Sequence, residues 1–467
     1  MMRHKSRRDF IKEFGLAALG LTTASSVSQL KAINAAYLNN SDNLFNNDYK
    51  AIVCFFLAGG NDSFNMVVPR GNPEYDEYKV TRSDLAISQN ELLPITPVTS
   101  DGRRYGLNPA MNNIHQLFNT GQVSFINNVG PLIEPTTRSD YRNRRSPVPL
   151  GLFSHSDQIK NCQTGLPHLR SQFGWGGRMA DMVNDMNSNR NVSMNISLSG
   201  TNIFQYGQTL VEFAIDPYDG SPGIRGYDPS SAGFNGARTE GIDLLLGVDH
   251  NDMYKKTYTD LLKRSLDGSI EFRAAMEQIG ELSTQFSNNR ISQSFRRICE
   301  VIMARDILGF KRQIFFVRMG GWDMHGELIQ NHERNLTTVD NALGEFAQGL
   351  NEIGMFNNVT TFTISDFGRT LTSNGNGSDH AWGGNAMVMG GDVKGGDMYG
   401  TFPSLALNGD LIVHRGVLIP TTPNDAYFAE LALWFGVSPS ELPTLFPNIG
   451  NFYDTMSGEA PLGFMNL

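Results

Sequence analysis

The sequence predicts an α/β protein in which helices cover both faces of a mostly parallel central sheet, giving a three-layer α/β/α arrangement. Three observations predict it: short continuous apolar runs, helical patterns between those runs, and segments rich in glycine and aspartate directly after several of them. An apolar run without alternation is typical of a strand that is covered on both faces. Strands that alternate with helices along a chain indicate a doubly wound sheet.

The first predicted strand is AIVCFFL at residues 51–57, and the others are residues 123–127, 192–198, 314–317, 359–364 and 386–389. Helical spacing of apolar residues predicts helices over residues 109–118, 171–186, 253–286, 291–308, 331–353 and 425–435, followed by a closing segment at 439–446. Residues 199–250 are rich in Gly, Asp, Pro, Asn and Tyr and are interpreted as an insertion or cap. No repeat or linker divides the rest, so one domain is expected over residues 48–467.

Composition limits the class of partner. Of the 467 residues, 40% are hydrophobic and 18% are charged, which is typical of a globular protein with a sizeable core. The formal net charge of −9 argues against nucleic acid and anionic lipid as partners. Cys54, Cys162 and Cys299 are too few and too widely spaced to predict a disulfide framework.

The N-terminus resembles a twin-arginine export signal. Residues 6–12 read SRRDFIK, which departs from the pattern S-R-R-x-F-L-K only at Ile11. The apolar run at residues 14–21 is too short to form a stable membrane span. The resemblance implies a signal peptide over residues 1–36, the twin-arginine translocase as partner during export, and a periplasmic or secreted location. The alternative is a basic disordered tail before an amphipathic helix.

Polar side chains follow three of the predicted strands at the edge where ligands bind in open α/β sheets. Asp62 follows the first strand, Asp323 and His325 follow the strand at 314–317, and Asp366 and Arg369 follow the strand at 359–364. Alternate residues of an extended segment project to one side, so Asp323 and His325 are expected to reach one metal ion. A structural alternative stays open for two of these residues: Asp62 caps the next helix, and Asp366 forms an ion pair with Arg369.

Two further segments carry candidate functional residues. Asp379 and His380 lie in a glycine-rich stretch that permits close approach of a ligand to the backbone. Ser154 and His155 lie at the start of a predicted helix, where free N–H groups favour an anion and lower a hydroxyl pKa. The alternative for Ser154 is a plain N-cap. Phosphate-loop, H-E-x-x-H, G-x-S-x-G and C-x-x-C motifs are missing, which argues against several familiar activities.

Taken in order, these motifs resemble a bacterial family of exported proteins known as domain of unknown function 1501 (DUF1501). The segments that carry the resemblance are FLAGGNDSFNMVVP, YGLNPAM, FSHSDQ, FFVRMGGWDMHG, ISDFGRTLTSNGNGSDHAWGGNAMVMGG and AYFAELALWFGVSPSELPTLFPN, between residues 56 and 448. The family in turn resembles the alkaline phosphatase and sulfatase superfamily, whose members hold one or two metal ions at the carboxyl edge of the sheet. The resemblance therefore implies an alkaline-phosphatase-like fold.

The same resemblance implies roles for residues. Ser154 matches the position of the nucleophile, and the candidate catalytic residues are Ser154, His155 and Arg369. The candidate ligands of divalent metal ions (zinc, magnesium, calcium or manganese) are Asp62, Asp323, His325, Asp366, Asp379 and His380. The superfamily commonly has a His after the Asp that Asp366 matches, whereas this chain has Phe367, so one of two metal sites is expected to be weak, rebuilt or empty.

These expectations give a functional hypothesis with two alternatives. The chain is expected to be an exported metal-dependent hydrolase acting on phosphate or related esters, with an anionic ester or glycan-derived substrate. A metal would activate Ser154 or a water, and Arg369 would stabilise the oxyanion. No C-x-[PA]-x-R or S-x-[PA]-x-R motif is present, which argues against formylglycine-dependent sulfatase chemistry. The alternatives are an inactive binding or scaffold protein of the cell envelope and, less compatible with an extracellular location, a phosphomutase or transferase.

Overall fold

The structure is a computed structural model, and it describes residues 49–467 except 222, 225, 226 and 229–231. The expected signal peptide lies outside the described residues. The strands are β1 (Lys50–Leu57), β2 (Val67–Pro69), β3 (Leu93–Ile95), β4 (Tyr105–Leu107), β5 (Val123–Gly130), β6 (Asn195–Ser197), β7 (Phe213–Ala214), β8 (Arg312–Met319), β9 (Val359–Ser365), β10 (Gly384–Met389), β11 (Met398–Tyr399), β12 (Ile412–Val413), β13 (Val417–Leu418) and β14 (Thr422–Pro423). The α-helices are α1 (Glu74–Arg82), α2 (Asn112–Asn119), α3 (Arg138–Arg142), α4 (His155–Thr164), α5 (Trp175–Val183), α6 (Gly233–Leu246), α7 (Met253–Met276), α8 (Arg290–Met303), α9 (Leu328–Glu352), α10 (Asn424–Phe435) and α11 (Leu442–Leu445).

The central sheet is mostly parallel, as the sequence predicts. Its strand order is β11-β5-β10-β9-β1-β8-β6-β7, with β14 beside β5. Strand β1 lies between β8 and β9 and is parallel to both. Strand β10 is the exception, because it runs antiparallel to β9 and to β5. No helix lies between β9 and β10 to carry the chain back across the sheet, and a parallel pair requires such a crossover.

Helices cover both faces of this sheet, which explains why its strands are apolar without alternation. On one face Phe55 of β1 packs edge-on against Phe295 of α8, with ring centroids 5.3 Å apart. On the other face Trp175 of α5 stacks on Phe428 of α10 at 4.7 Å and contacts Phe362 of β9 at 5.5 Å. The predicted three-layer α/β/α arrangement is therefore confirmed.

Two segments differ from the sequence expectation. Helix α7 ends at Met276 rather than near residue 286, because the chain that follows is tied to the end of α9: the Glu352 carboxylate accepts from the N–H groups of Ser283 and Thr284. Within residues 199–250, β7 extends the sheet beside β6, and α6 forms a helix where no regular structure was expected.

The three cysteines are free and buried, in agreement with the lack of a predicted disulfide framework. Over the described residues, every helix is too short or too polar to cross a membrane.

Candidate metal centre

The loop after β8 presents Asp323 and His325 on the same side. Trp322 and Met324 are buried, whereas Asp323 and His325 between and after them are exposed, so the loop alternates as an extended segment does. This placement agrees with the expectation from their spacing. The loop lies against the end of β1: a Cβ atom at Gly59 would be 2.4 Å from the backbone nitrogen of Asp323, so only glycine permits this approach.

His155, the first residue of α4, is oriented by Asp366. Its Nδ1 lies 2.7 Å from Asp366 Oδ2, and the other oxygen of that carboxylate accepts from the N–H of Gly59 at 3.0 Å. Burial raises the pKa of Asp366, and the hydrogen bond from His155 opposes that rise. Because the carboxylate accepts from Nδ1, the lone pair of His155 is on Nε2, which is buried and has no hydrogen-bond partner among the described residues.

His380 is oriented in the same way by a backbone carbonyl. Its Nδ1 donates to the carbonyl oxygen of Phe153 at 2.8 Å, which leaves the lone pair on Nε2. Burial lowers the pKa of His380, so the neutral imidazole is favoured near neutral pH. His380 Nε2 lies 3.3 Å from Asp323 Oδ1.

His325 completes the group. Its Nδ1 lies 3.3 Å from Asp379 Oδ1, and its Nε2 lies 3.0 Å from His380 Nε2 and 3.1 Å from Asp323 Oδ1. All three imidazoles therefore direct Nε2 towards the Asp323 carboxylate, and each Nδ1 faces an acceptor behind it.

The spacing of these atoms fits a tetrahedral metal site. Ligand atoms at about 2.0–2.1 Å from a zinc ion in tetrahedral geometry lie about 3.3–3.4 Å apart. His155 Nε2 lies 3.3 Å from Asp323 Oδ2, and His380 Nε2 lies 3.3 Å from the other carboxylate oxygen, Asp323 Oδ1. His155, Asp323 and His380 offer ligand atoms that all lie within 4.8 Å of one another. The Nε2 of His155 is buried and makes no hydrogen bond to the described residues, so its lone pair is available to a metal ion.

Arg369 holds the Asp323 carboxylate in place. Its Nη1 donates to Asp323 Oδ1 at 2.8 Å and to the Gly59 carbonyl at 3.3 Å, and its other nitrogens bond the Oγ and carbonyl of Ser378. Burial raises the pKa of Asp323, but the hydrogen bond and charge of Arg369 outweigh burial and the net pKa is lowered. The Arg369 side chain is fully buried, so it supports Asp323 and does not face solvent.

Phe367, which stands where the superfamily commonly has a His, packs beside the imidazoles. Its ring centroid is 4.7 Å from that of His155 and 4.6 Å from that of His380. This aromatic contact holds both imidazole rings and contributes no ligand atom. Asp366 is likewise bonded to His155 and Gly59 rather than directed at a second cluster.

Two of the predicted site residues lie apart from this group. Asp62 is buried in an ion pair with Arg82 of α1, and Arg82 also donates to the carbonyls of Thr370 and Leu371. Ser154 is the residue before α4, and its Oγ lies 3.1 Å from Ser156 Oγ. The structure thus groups His155, Asp323, His325, Asp366, Arg369, Asp379 and His380, with Asp62 and Ser154 bonded elsewhere.

Sequence reasoning missed two contributors to the group: the Phe153 carbonyl and Arg415. Arg415 Nη1 lies 2.9 Å from Asp379 Oδ2, although the two residues are 36 positions apart in the chain. No local motif could have indicated these residues, because a carbonyl carries no sequence signal and Arg415 meets the site only through folding.

A cavity of ≈ 40 Å³ adjoins the buried side of Asp366 and Phe367. It has room for about three waters by the volume one water requires. The imidazole group is therefore open to solvent on its other side, where Asp323 and His325 are each about half exposed.

Comparison with known proteins adds a family match. Residues 242–443 match the family described as "Protein of unknown function (DUF1501)", so the resemblance expected from the motifs is confirmed over that range. No curated protein matches the chain.

Solved structures that align with the chain include the PsFucS1 sulfatase from Pseudoalteromonas sp., with 8% identity and a TM-score of 0.34, covering 89% of this chain and 72% of that one. Ps i-CgsB in complex with k-i-k-neocarrahexaose aligns with 10% identity and a TM-score of 0.33, covering 86% of this chain and 77% of that one.

Proposed function

Starting from the family match over residues 242–443 and the geometry of the imidazole group, we propose that this chain is a metal-dependent hydrolase of phosphate or related esters that acts after export. The observation that carries the proposal is the convergence of the Nε2 atoms of His155, His325 and His380 on the Asp323 carboxylate.

His155, Asp323 and His380 are the proposed protein ligands of one divalent cation. Three protein ligands with an open fourth position are typical of catalytic zinc sites, whereas structural zinc sites are closed. A nitrogen-rich set favours zinc or a similar transition metal over calcium and magnesium, which prefer all-oxygen sites.

Asp366 and the Phe153 carbonyl act as positioning groups. Each accepts from the Nδ1 of one proposed ligand, which selects the tautomer that presents Nε2. Such outer contacts orient the imidazole ring and raise its basicity as a ligand. Arg369 serves Asp323 in the same way, and because it is fully buried we assign it positioning rather than direct contact with substrate.

His325 is the proposed group for proton transfer. It is about half exposed, and its Nδ1 faces Asp379, so its Nε2 can hold or release a proton at the substrate side of the centre. When bound, a divalent cation in such a site supplies Lewis-acid polarisation of an ester oxygen and lowers the pKa of a bound water to about 7. Water is then the proposed nucleophile, and Ser154 remains the alternative.

The proposed substrate is an anionic ester carried on a larger molecule such as a glycan. The cavity beside Asp366 is too small for a substrate, and the imidazole group opens to solvent. An exposed centre admits an ester attached to a polymer, which a closed pocket would exclude.

A binding or scaffold protein is the second candidate function. Two observations favour it: Phe367 packs where a second ligand was expected, and Ser154 bonds Ser156 rather than the imidazole group. A protein that has kept the fold but lost the chemistry would show both features.

One experiment separates the two functions. The exported protein is purified without chelator, its metal content is measured, and hydrolysis of a panel of phosphate and sulfate esters is followed before and after chelation. We expect about one bound transition metal per chain and activity that chelation removes and zinc restores. A protein with no metal and no turnover, yet with a bound glycan or partner, would support the binding function instead.

A further inference from the structure

Arg415 is an exposed cation beside the proposed metal centre. Its side chain is 61% exposed, and its Nη1 lies 2.9 Å from Asp379 Oδ2. Asp379 in turn faces His325 at 3.3 Å. Arg369, the other arginine of the site, has no exposed side-chain surface, so Arg415 and not Arg369 is the guanidinium that a ligand can reach.

The chain holds Arg415 at this place by an unusual turn. Arg415 lies at the tip of the β12–β13 hairpin, where His414, Arg415 and Gly416 have φ of 30°, 29° and 82°. Positive φ at two consecutive residues other than glycine costs energy that neighbouring contacts must offset. Two contacts do so: the N–H of Leu371 donates to the Gly416 carbonyl at 3.0 Å, and Thr372 Oγ1 donates to the Arg415 carbonyl at 2.7 Å.

The same segment also positions the carboxylate partner of Arg415. The N–H of Thr370 donates to the Asp379 carbonyl at 2.9 Å, and Thr370 Oγ1 accepts from the N–H of Asp379. Residues 370–372 therefore hold both members of the Arg415–Asp379 pair. The backbone that carries the Arg415 guanidinium is consequently held by hydrogen bonds and is not a free loop.

Most of the donors of Arg415 are unused. A guanidinium carries five N–H donors, and the contact with Asp379 uses one nitrogen. Within the described chain, Nε and Nη2 have no partner. Two adjacent unused donors on a planar fork match the oxygens of a phosphate or sulfate group.

We propose that Arg415 forms an anion subsite that binds a second phosphate or sulfate group of the substrate, distinct from the group that reacts. The side chains of His325 and Asp379 lie between Arg415 and Asp323, so the subsite is set apart from the proposed ligands. The inference rests on the proposed function in one respect, because it assumes that the reacting ester binds at His155, Asp323 and His380. It predicts a preference for substrates with two anionic groups.

The test compares two ligands on three proteins. Binding of fructose 1,6-bisphosphate and fructose 6-phosphate is measured by calorimetry on wild type, Arg415→Gln and Arg190→Gln, together with metal content. Arg190 is the matched control, because it is 57% exposed and pairs with a single carboxylate, Asp185, at 3.7 Å. Wild type and Arg190→Gln are expected to bind the bisphosphate about tenfold more tightly, as one charge-assisted contact allows, and Arg415→Gln to lose that preference.

The outcomes separate this inference from the proposed function. The proposed subsite is overturned if wild type does not prefer the bisphosphate, or if Arg415→Gln keeps the same preference as wild type. If the protein nevertheless contains its metal, the proposed function is not contradicted by that result. A preference that depends on Arg415 in a protein without metal supports the subsite and contradicts the hydrolase. Inorganic phosphate or sulfate should compete with the bisphosphate for the subsite. If neither ion competes, the proposed subsite is also overturned.

Discussion

His155 Nδ1 and Asp366 Oδ2 are 2.7 Å apart, although 211 residues of chain separate them. This contact links the first residue of α4 to the end of β9 and leaves His155 Nε2 directed at Asp323. The orientation of the proposed ligand therefore depends on a carboxylate whose side chain is fully buried.

Replacing Asp366 tests that dependence. Asp366→Asn is expected to weaken metal binding about 10- to 100-fold, because outer-shell partners contribute that much to metal affinity. Metal affinity is measured by competition with a chelator. Asp216→Asn, which alters an Asp–Arg pair outside the imidazole group, is the control. Equal affinities in the two variants would show that Asp366 does not orient a ligand.

The roles of adjacent residues Ser154 and His155 are separated by alanine variants. His155→Ala is expected to lose both bound metal and turnover, because it removes a proposed ligand. Ser154→Ala is expected to keep its metal and its turnover within a few-fold, because Ser154 Oγ contacts Ser156 rather than the imidazole group. Turnover and metal content are measured on the same preparations. Loss of turnover with metal retained in Ser154→Ala would instead assign Ser154 as the nucleophile.

Gly59 is expected to be intolerant of any side chain. Gly59→Ala combines a φ of +127° with a Cβ atom 2.4 Å from the Asp323 backbone nitrogen. Gly102→Ala is the matched control, since its φ is +85° but a Cβ atom there meets nothing within 4 Å. Backbone strain should cost each variant about 1–3 kcal/mol, and the clash should cost Gly59→Ala roughly 1–3 kcal/mol more. Equal free energies of unfolding by urea denaturation would rule out the close approach.

The buried Asp425 is expected to make stability fall as pH rises. Burial raises the pKa of Asp425 from 3.8 to about 8, against the opposing charge of Arg178. Between about pH 4 and pH 8 the unfolded chain carries an ionised Asp425 and the folded chain a protonated one. The stability present below pH 4 is therefore lost progressively up to about pH 8. Asp425→Asn should flatten this part of the curve of unfolding free energy against pH.

Glu352 is expected to have the opposite effect on how stability depends on pH. Hydrogen bonds from Thr284 and Ser283 lower the pKa of Glu352 to about 2, so its contribution is present at neutral pH and lost as pH falls towards 2. Glu352→Gln should therefore destabilise the protein at neutral pH and have little effect in acid. If Asp425→Asn and Glu352→Gln changed the pH dependence in the same direction, the assignment of Asp425 would be wrong.

Export is tested at the N-terminal arginine pair. Arg7→Lys combined with Arg8→Lys is expected to leave the protein in the cytoplasm, because the pair carries the resemblance to a twin-arginine signal. Arg3→Lys lies outside the motif and should export normally. Location is followed by cell fractionation and immunoblotting. Unchanged export of the double variant would contradict the twin-arginine route.

The sequence by itself determined the layered architecture. The run at 51–57 became β1, and the runs at 314–317 and 359–364 became its parallel neighbours β8 and β9, because an unbroken apolar run can only be satisfied by cover on both faces. It also determined that Asp323 and His325 share one side, since side-chain alternation is a local property of extended backbone.

Only the tertiary structure decided which polar residues meet. It paired Asp62 with Arg82, left Ser154 bonded to Ser156, set His155 against Asp366, and brought Arg415 to a group that its local sequence did not indicate. The physical reason is that the contacts of Asp62, His155 and Arg415 join segments tens to hundreds of residues apart. Their geometry depends on strand order and on the paths of loops such as 414–416, which local hydrophobic patterns do not encode.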